Sequence, residues 1–174
     1  ERVAQIIGDY YVGKGNNVYY FLGDTSVKQV YPVKGKVINT GVRPCTSGND
    51  DKILMVLAKL LKASFRIRKF KKKYKIDVAI SFLEEFNYLN VLSKGREKVI
   101  TRVCSIVSRC STYDSILYRK NMVKFFYNSA DKVVVLSNDG IIDMCNNYHV
   151  YRDKLVKIPN PALQISSGDY QADW

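Results

Sequence analysis

The sequence predicts an α/β fold in which helices cover both faces of a parallel β-sheet. Val133 to Leu136 is a short apolar run without alternation, which favours a strand buried on both sides. Ser137, Asn138 and Asp139 follow at once and are typical of helix starts. A helix-like segment then leads to a second apolar stretch, Leu155 to Ile158. The order strand, helix, strand predicts a parallel βαβ unit and therefore the α/β class.

The first half of the chain divides into helices and strands by the same reasoning. Its opening helix has one apolar face, and Gly13 to Gly15 end that helix. A loop rich in Gly, Pro, Asn and Ser ends at Asn49 and Asp50, either of which would cap the helix that follows. The predicted elements are a helix from Glu1 to Val12, strands at Val18 to Leu22 and Val37 to Ile38, a loop from Thr40 to Asp51, a helix from Asp51 to Tyr74 and a strand from Asp77 to Phe82.

The second half continues the alternation. Pro159 closes the last strand because proline fixes φ and lacks a backbone donor. The predicted elements are a helix from Asn87 to Leu92, a strand from Val99 to Val103, an amphipathic helix from Tyr113 to Asn128, the strand at Val133, a helix that ends near Asn146 and the final strand at Leu155.

The long helix of the first half carries two stripes. Its apolar residues recur every three or four positions, at Val56, Leu60, Ala63, Ile67, Phe70 and Tyr74. Basic residues recur at the same spacing, about 100° around the helix, at Lys59, Lys62, Arg66, Lys69 and Lys73. This basic stripe predicts either attraction to an anionic membrane or a solvated cationic face.

The composition is that of a folded domain with a large positive charge. The 174 residues suffice for one domain, and no apolar run or secretory pattern predicts membrane insertion or export. We therefore expect a cytoplasmic protein, with peripheral contact at the inner face of the cell membrane as a further expectation. The net charge of +12 favours an anionic partner, such as a membrane surface, a nucleotide or a nucleic acid.

The cysteines and the single histidine predict no metal site. The cysteine spacings do not match a set of metal ligands, and one histidine does not complete a typical zinc site. We expect reduced, mostly buried thiols at Cys45, Cys104, Cys110 and Cys145.

Residues near the end of the chain carry a family pattern. Ala130 and Asp131 precede the apolar strand, Ser137 follows it, and the segment closes with Lys154, Val156, Ile158, Pro159, Asn160 and Pro161. This pattern resembles the end of the N-terminal domain of glycosyltransferase family 4, retaining enzymes with the two-domain GT-B fold. Shorter stretches with the same resemblance are Glu1 to Val3, Asp77 to Phe82, Val99 to Arg102 and Tyr118-Arg119.

The resemblance implies a Rossmann-like domain over residues 1–161 and an interdomain linker at 162–174. It also implies a first strand and a glycine-rich turn before Glu1, and a C-terminal domain that binds the nucleotide-sugar donor. The whole enzyme would move a hexose-like sugar to a saccharide or lipid-linked acceptor with retention, in cell-surface polysaccharide or glycolipid synthesis. No cofactor or metal would be required, and this half alone would be inactive.

Candidate acceptor-side residues follow the predicted strands. Glu84 and Glu85 are expected either to contact the acceptor or to favour a helix dipole. Arg102, with Ser105 close by, is expected to hold a phosphate or to pair with an acid. Ser137 is a ligand contact or, as the better explanation, a helix cap.

The remaining predictions concern the domain crossing and the catalytic residues. Asn160 and Pro161 are interpreted as an interdomain hinge. The family's acceptor-side histidine or Glu-Arg-Asn motif is absent, because Arg102, Cys104 and Ser105 stand there, so no catalytic residue is assigned.

An alternative function is a non-enzymatic basic module that binds anionic membrane or nucleic acid. Thirteen tyrosines among basic residues are compatible with base stacking. No nucleic-acid-binding motif is present, and many tyrosines fall on predicted core faces, so nucleic acid is not the expected partner.

Overall fold

A computed structural model describes residues 2–23, 32–42, 53–109 and 120–161. Its strands form two sheets, one with the order β1-β2 and one with the order β3-β4-β5-β6, and every strand pair is parallel. The helices and strands are α1 (Arg2–Gly13), β1 (Tyr19–Leu22), β2 (Lys36–Asn39), α2 (Ile53–Lys73), β3 (Val78–Phe82), α3 (Glu84–Leu92), β4 (Lys98–Arg102), α4 (Lys120–Ser129), β5 (Lys132–Val135), α5 (Asn138–Asn146) and β6 (Leu155–Lys157). The predicted α/β class is confirmed.

One face of the four-stranded sheet is the centre of the core. Val99, Val133 and Val135 point to this face and are buried. Helices α3, α4 and α5 cover it, with the ring of Tyr88 stacked at 4.2 Å from the ring of Phe126. The apolar strands therefore pack on helices on this face. Burial on both faces, which the unbroken apolar runs predicted, is confirmed for β5 and wrong for β3, whose Val78 and Ile80 are exposed on the other face.

The two-stranded sheet has one helix on each face. Consecutive residues of a strand point to opposite faces, so the side chains of Tyr20 and Phe21 face different helices. α1 approaches Tyr20 so closely that a Cβ at Gly8 would lie 1.8 Å from the tyrosine hydroxyl. On the other face, the ring of Phe21 lies 5.9 Å from the ring of Phe70 on α2.

A buried lysine joins α2 to α3 and, through Asn90, to the larger sheet. The three donors of Lys71 Nζ reach Asn90 O at 2.9 Å, Asn90 Oδ1 at 2.7 Å and Glu97 Oε1 at 2.9 Å. Asn90 in turn donates to Ala79 O and Ser81 Oγ on β3, both at 3.1 Å. This network joins α2, α3 and β3, and a buried ammonium group needs such full pairing.

The predicted stripes of α2 are confirmed where the structure describes their side chains. Leu60 and Ile67 are buried, and Ala63, Phe70 and Tyr74 are half-buried. All five residues of the basic stripe, Lys59, Lys62, Arg66, Lys69 and Lys73, are exposed. The side chain of Val56 lies outside the described part.

Several expectations are corrected. Helix α3 begins at Glu84, three residues before the predicted start, because the chain turns directly from β3 into the helix. The strands form two sheets where one was expected. Cys104 is exposed, which contradicts a buried thiol there, whereas Cys145 is half-buried.

Other predictions lie outside the described residues. These are the caps at Asn49 and Asp50, the helix residues before Lys120, the thiols of Cys45 and Cys110, and the linker at 162–174. No helix in the described ranges is long and apolar enough to cross a membrane.

Candidate functional site

The candidate site lies where the parallel strands of the larger sheet end. Phe82 at the end of β3 is opposite Arg102 at the end of β4, and Arg102 is opposite Val134 on β5. The residues after these strands therefore meet at one edge, which is where open α/β sheets bind ligands.

Arg102 is the best-defined side chain at this edge. It is only 7% exposed, and its guanidinium carbon lies 5.7 Å from the centre of the Phe82 ring. Nη1 donates to Cys104 Sγ at 3.1 Å, and Nη2 donates to Asn160 Oδ1. The planar cation is thus held over an aromatic ring and tied to the segment that follows β6.

These contacts test one of the two roles predicted for Arg102, the salt bridge with an acid. Among the described residues no acid pairs with it, so the expected salt bridge is not found there. A guanidinium has five N–H donors, and the two hydrogen bonds leave donors for an anionic ligand. The phosphate-binding role remains a prediction.

Glu84 and Glu85 occupy the first turn of α3. Glu84 is buried and Glu85 half-buried. Carboxylates at this position favour the positive end of the helix dipole, which agrees with one of the two predicted roles. Acceptor contact by either residue remains a prediction.

Leu83, between β3 and α3, has an unusual backbone. Its φ is 75° although it is not glycine, and its side chain is exposed. Such conformations cost of order 1 kcal/mol or more and occur often at functional sites. The sequence contained no signal for this geometry.

The two candidate serines have different surroundings. Ser137 accepts a hydrogen bond from the amide of Gly140 at 3.1 Å, which confirms the predicted cap of α5. Ser105 is half-buried in the segment that follows β4. That segment is fixed to α5, because the amide of Ser108 donates to Asp143 Oδ2 at 3.2 Å.

Asp143 was not found by sequence reasoning, although a signal existed. It is a buried acid between apolar residues of α5, and Asn147 Nδ2 also donates to it at 2.7 Å. An acid on the buried side of a short helix predicts a backbone or polar partner. Asp143 therefore has a structural role, because it holds the segment of Ser105 in place.

The Ala130-Asp131 motif lies at the opposite end of the sheet from the candidate site. Asp131 Oδ2 accepts from the amide of Val99 at 2.8 Å and pairs with Lys94 at 2.8 Å. Burial raises the pKa of Asp131, but the bonds from Lys94 and the Val99 amide outweigh it and hold this pKa below its usual range. Asp131 therefore has a structural role and links β4 to the start of β5.

Comparison with known proteins supports a glycosyltransferase-like fold. No protein-family model and no curated protein matches the sequence. Among solved structures, the chain is similar to the crystal structure of a glycosyltransferase from Rickettsia africae ESF-5, with 20% sequence identity and a TM-score of 0.55. The match covers 91% of this chain and 38% of that chain. The chain thus has a Rossmann-like, glycosyltransferase-like fold and spans well under half of the protein it matches.

Proposed function

We propose that the chain is the N-terminal, acceptor-binding domain of a retaining GT-B glycosyltransferase. The enzyme would transfer a sugar from a nucleotide-sugar donor to a saccharide or lipid-linked acceptor, in cell-surface polysaccharide or glycolipid synthesis. The observation that carries this proposal is the hydrogen bond between Arg102 and Asn160. By the family resemblance, Asn160 lies where the chain crosses to the donor domain, so this bond would join the acceptor site to the domain crossing.

The chemistry of the carboxyl edge supports the proposed acceptor-binding role. Arg102 offers a fixed cation for a phosphate of a lipid-linked acceptor. Glu84 and Glu85 offer carboxylates that accept hydrogen bonds from sugar hydroxyls. The contribution to catalysis would be to position an acceptor hydroxyl, while the donor domain would hold the nucleotide.

Strands β1 and β3 each have one open edge, and these edges support the proposal that the chain belongs to a larger protein. In β1, Val18 O and Leu22 O accept bonds from β2, at 2.9 and 2.8 Å, so the backbone groups of Tyr19 and Phe21 point to the other edge. In β3, Asp77 O accepts from the amide of Lys98, so the backbone groups of Val78 and Ile80 point away from β4. Neither edge pairs with a strand in the described part of the chain.

One further parallel strand would fill both edges. Helix α2 packs on β1 of the smaller sheet and on α3, which covers the larger sheet, and α1 lies on the face of β1 opposite to α2. A strand that leads into α1 and pairs with β1 would complete the right-handed βαβ unit that parallel strands almost always form. We propose that a segment before Arg2 supplies this strand, as the family resemblance implies.

The test is sugar transfer by the full-length protein. Radiolabelled nucleotide sugars with different bases and sugars would be offered with saccharide and lipid acceptors, and the anomeric configuration of the product read by NMR. We expect transfer with retention by the full-length protein and none by the 174-residue chain alone. Absence of both transfer and nucleotide-sugar binding across the panel would overturn the proposal, whereas an inverted product would overturn only the retaining mechanism.

A further inference from the structure

The outward face of α2 combines strong positive charge with exposed apolar side chains. The 21 residues of α2 include eight lysines and arginines and no acid. Phe65 is 65% exposed and Leu61 is 48% exposed. Residues four apart are neighbours on a helix surface, so these two apolar side chains form one exposed patch.

Basic residues lie along one side of this patch. Lys62 precedes Phe65 by three positions and Lys69 follows it by four, so both are its neighbours on the helix. Arg66 and Lys73 line a shallow groove together with Phe65 and Lys62. In the described part of the chain, none of these four cations forms a salt bridge.

The opposite face of α2 is fixed in the core. Leu60 and Ile67 are buried, and Lys71 is bound by Asn90 and Glu97. The helix therefore presents its outward face as a rigid surface. Burying Phe65 would not require α2 to leave its position.

We propose that this face docks on an anionic phospholipid membrane. Leu61 and Phe65 enter the boundary between headgroups and acyl chains, and Lys62, Arg66, Lys69 and Lys73 contact lipid phosphates. Charge complementarity selects an anionic surface. The exposed apolar patch beside the cations distinguishes a lipid partner from a merely solvated basic face. The proposal does not depend on the transferase function.

The first test is co-sedimentation of the chain with vesicles of phosphatidylcholine, with and without phosphatidylglycerol, at several salt concentrations. We expect binding to the anionic vesicles that weakens with salt. The variant K62Q/R66Q/K69Q/K73Q should bind at least about 100-fold more weakly at low salt. The charge-matched control K36Q/K120Q/K124Q/K157Q removes four exposed lysines from β2, α4 and β6 and should lose much less.

Phe65→Ser separates lipid insertion from simple charge attraction. It should weaken vesicle binding by about tenfold and reduce the part of the binding that survives high salt. Circular dichroism checks that each variant is folded. Equal losses in the two charge variants, or an unchanged affinity for Phe65→Ser, would overturn the proposal. Tighter binding to a single-stranded oligonucleotide than to the vesicles would also overturn it and indicate a nucleic-acid surface.

Discussion

Lys71 is buried, whereas the other basic residues of α2 are exposed. It lies in the most basic helix, yet its side chain is buried and its three donors are all bound. Lys71→Ala would leave Glu97 buried without its partner, so we expect a loss of about 3–5 kcal/mol in unfolding free energy. Urea denaturation would measure this loss.

Two variants control for that prediction. Lys72→Ala removes an exposed neighbour and should change stability by less than about 0.5 kcal/mol. The double variant Lys71→Met/Glu97→Met removes both charges and should recover much of the loss. If Lys71→Ala and Lys72→Ala were equally mild, the buried pair would not be a stabilising contact.

The acid stability of the protein depends on Glu97 and Asp131. Burial raises the pKa of Glu97, but its bonds with Lys71 outweigh burial and hold the pKa below the usual 4.5. The pKa of Asp131 is likewise held below 3.8. Because both are lowered on folding, their stabilisation is complete above these ordinary values and is lost as the pH falls through the lower folded-state values.

The pH dependence can be measured by denaturation between pH 7 and pH 2. We expect the wild-type protein to lose stability below about pH 4.5. Glu97→Gln should be less stable at neutral pH and should show a shallower decline in acid. Parallel curves for the two proteins would contradict a lowered pKa at Glu97.

At the scale of elements, two glycines of α1 make a matched pair. A Cβ at Gly8 would meet the Tyr20 side chain, whereas one at Gly13 would meet nothing within 4 Å. Alanine is favoured over glycine in helices by about 1 kcal/mol. Gly13→Ala should therefore raise or preserve the melting temperature, and Gly8→Ala should lower it because α1 must shift from β1. Equal effects would show that α1 does not pack on Tyr20 as described.

Most elements could be predicted because their signals are local. Unbroken apolar runs predicted β3, β4 and β5, and the stripe of Leu60 and Ile67 predicted the buried face of α2. The start of α3 was missed because Leu83 is no conventional cap, and its positive φ leaves no trace in its residue type. Lys71 did carry a signal, since it follows Ile67 by four residues on the buried face.

The candidate site was less predictable than the elements. The cap at Ser137 depends on adjacent residues and was predicted. The bond between Arg102 and Asn160 joins residues 58 positions apart and depends on how β4 and the segment after β6 are arranged in space. Such long-range contacts depend on how the whole sheet packs. The spacing of residues along the sequence does not predict that packing.

At the scale of the whole molecule, β3 lies at an open edge of the larger sheet and has apolar side chains exposed to water. Val78 is 51% exposed and Ile80 is 37% exposed, although parallel strands are usually buried on both faces. If a further strand pairs with β1 and β3 in the full-length protein, the backbone amides along both open edges become hydrogen-bonded. Those groups belong to Tyr19, Phe21, Val78 and Ile80.

Hydrogen exchange would test this pairing. We expect the amides on the open edges to exchange rapidly in the 174-residue chain and at least about 100-fold more slowly in the full-length protein. The buried Val133 amide in the middle of the larger sheet is the internal control. Rapid exchange at both edges in the full-length protein would mean that no strand is inserted there.

If the carboxyl edge around Arg102 binds the acceptor, as we propose, steady-state kinetics of the full-length protein will show it. Arg102→Gln would be compared with Lys98→Gln, an exposed residue at the other end of the same strand. We predict that Arg102→Gln raises the KM for the acceptor by about tenfold or more, leaves the KM for the nucleotide sugar nearly unchanged, and that Lys98→Gln changes neither. An unchanged acceptor KM, or a rise only in the KM for the nucleotide sugar, would mean that Arg102 does not bind the acceptor.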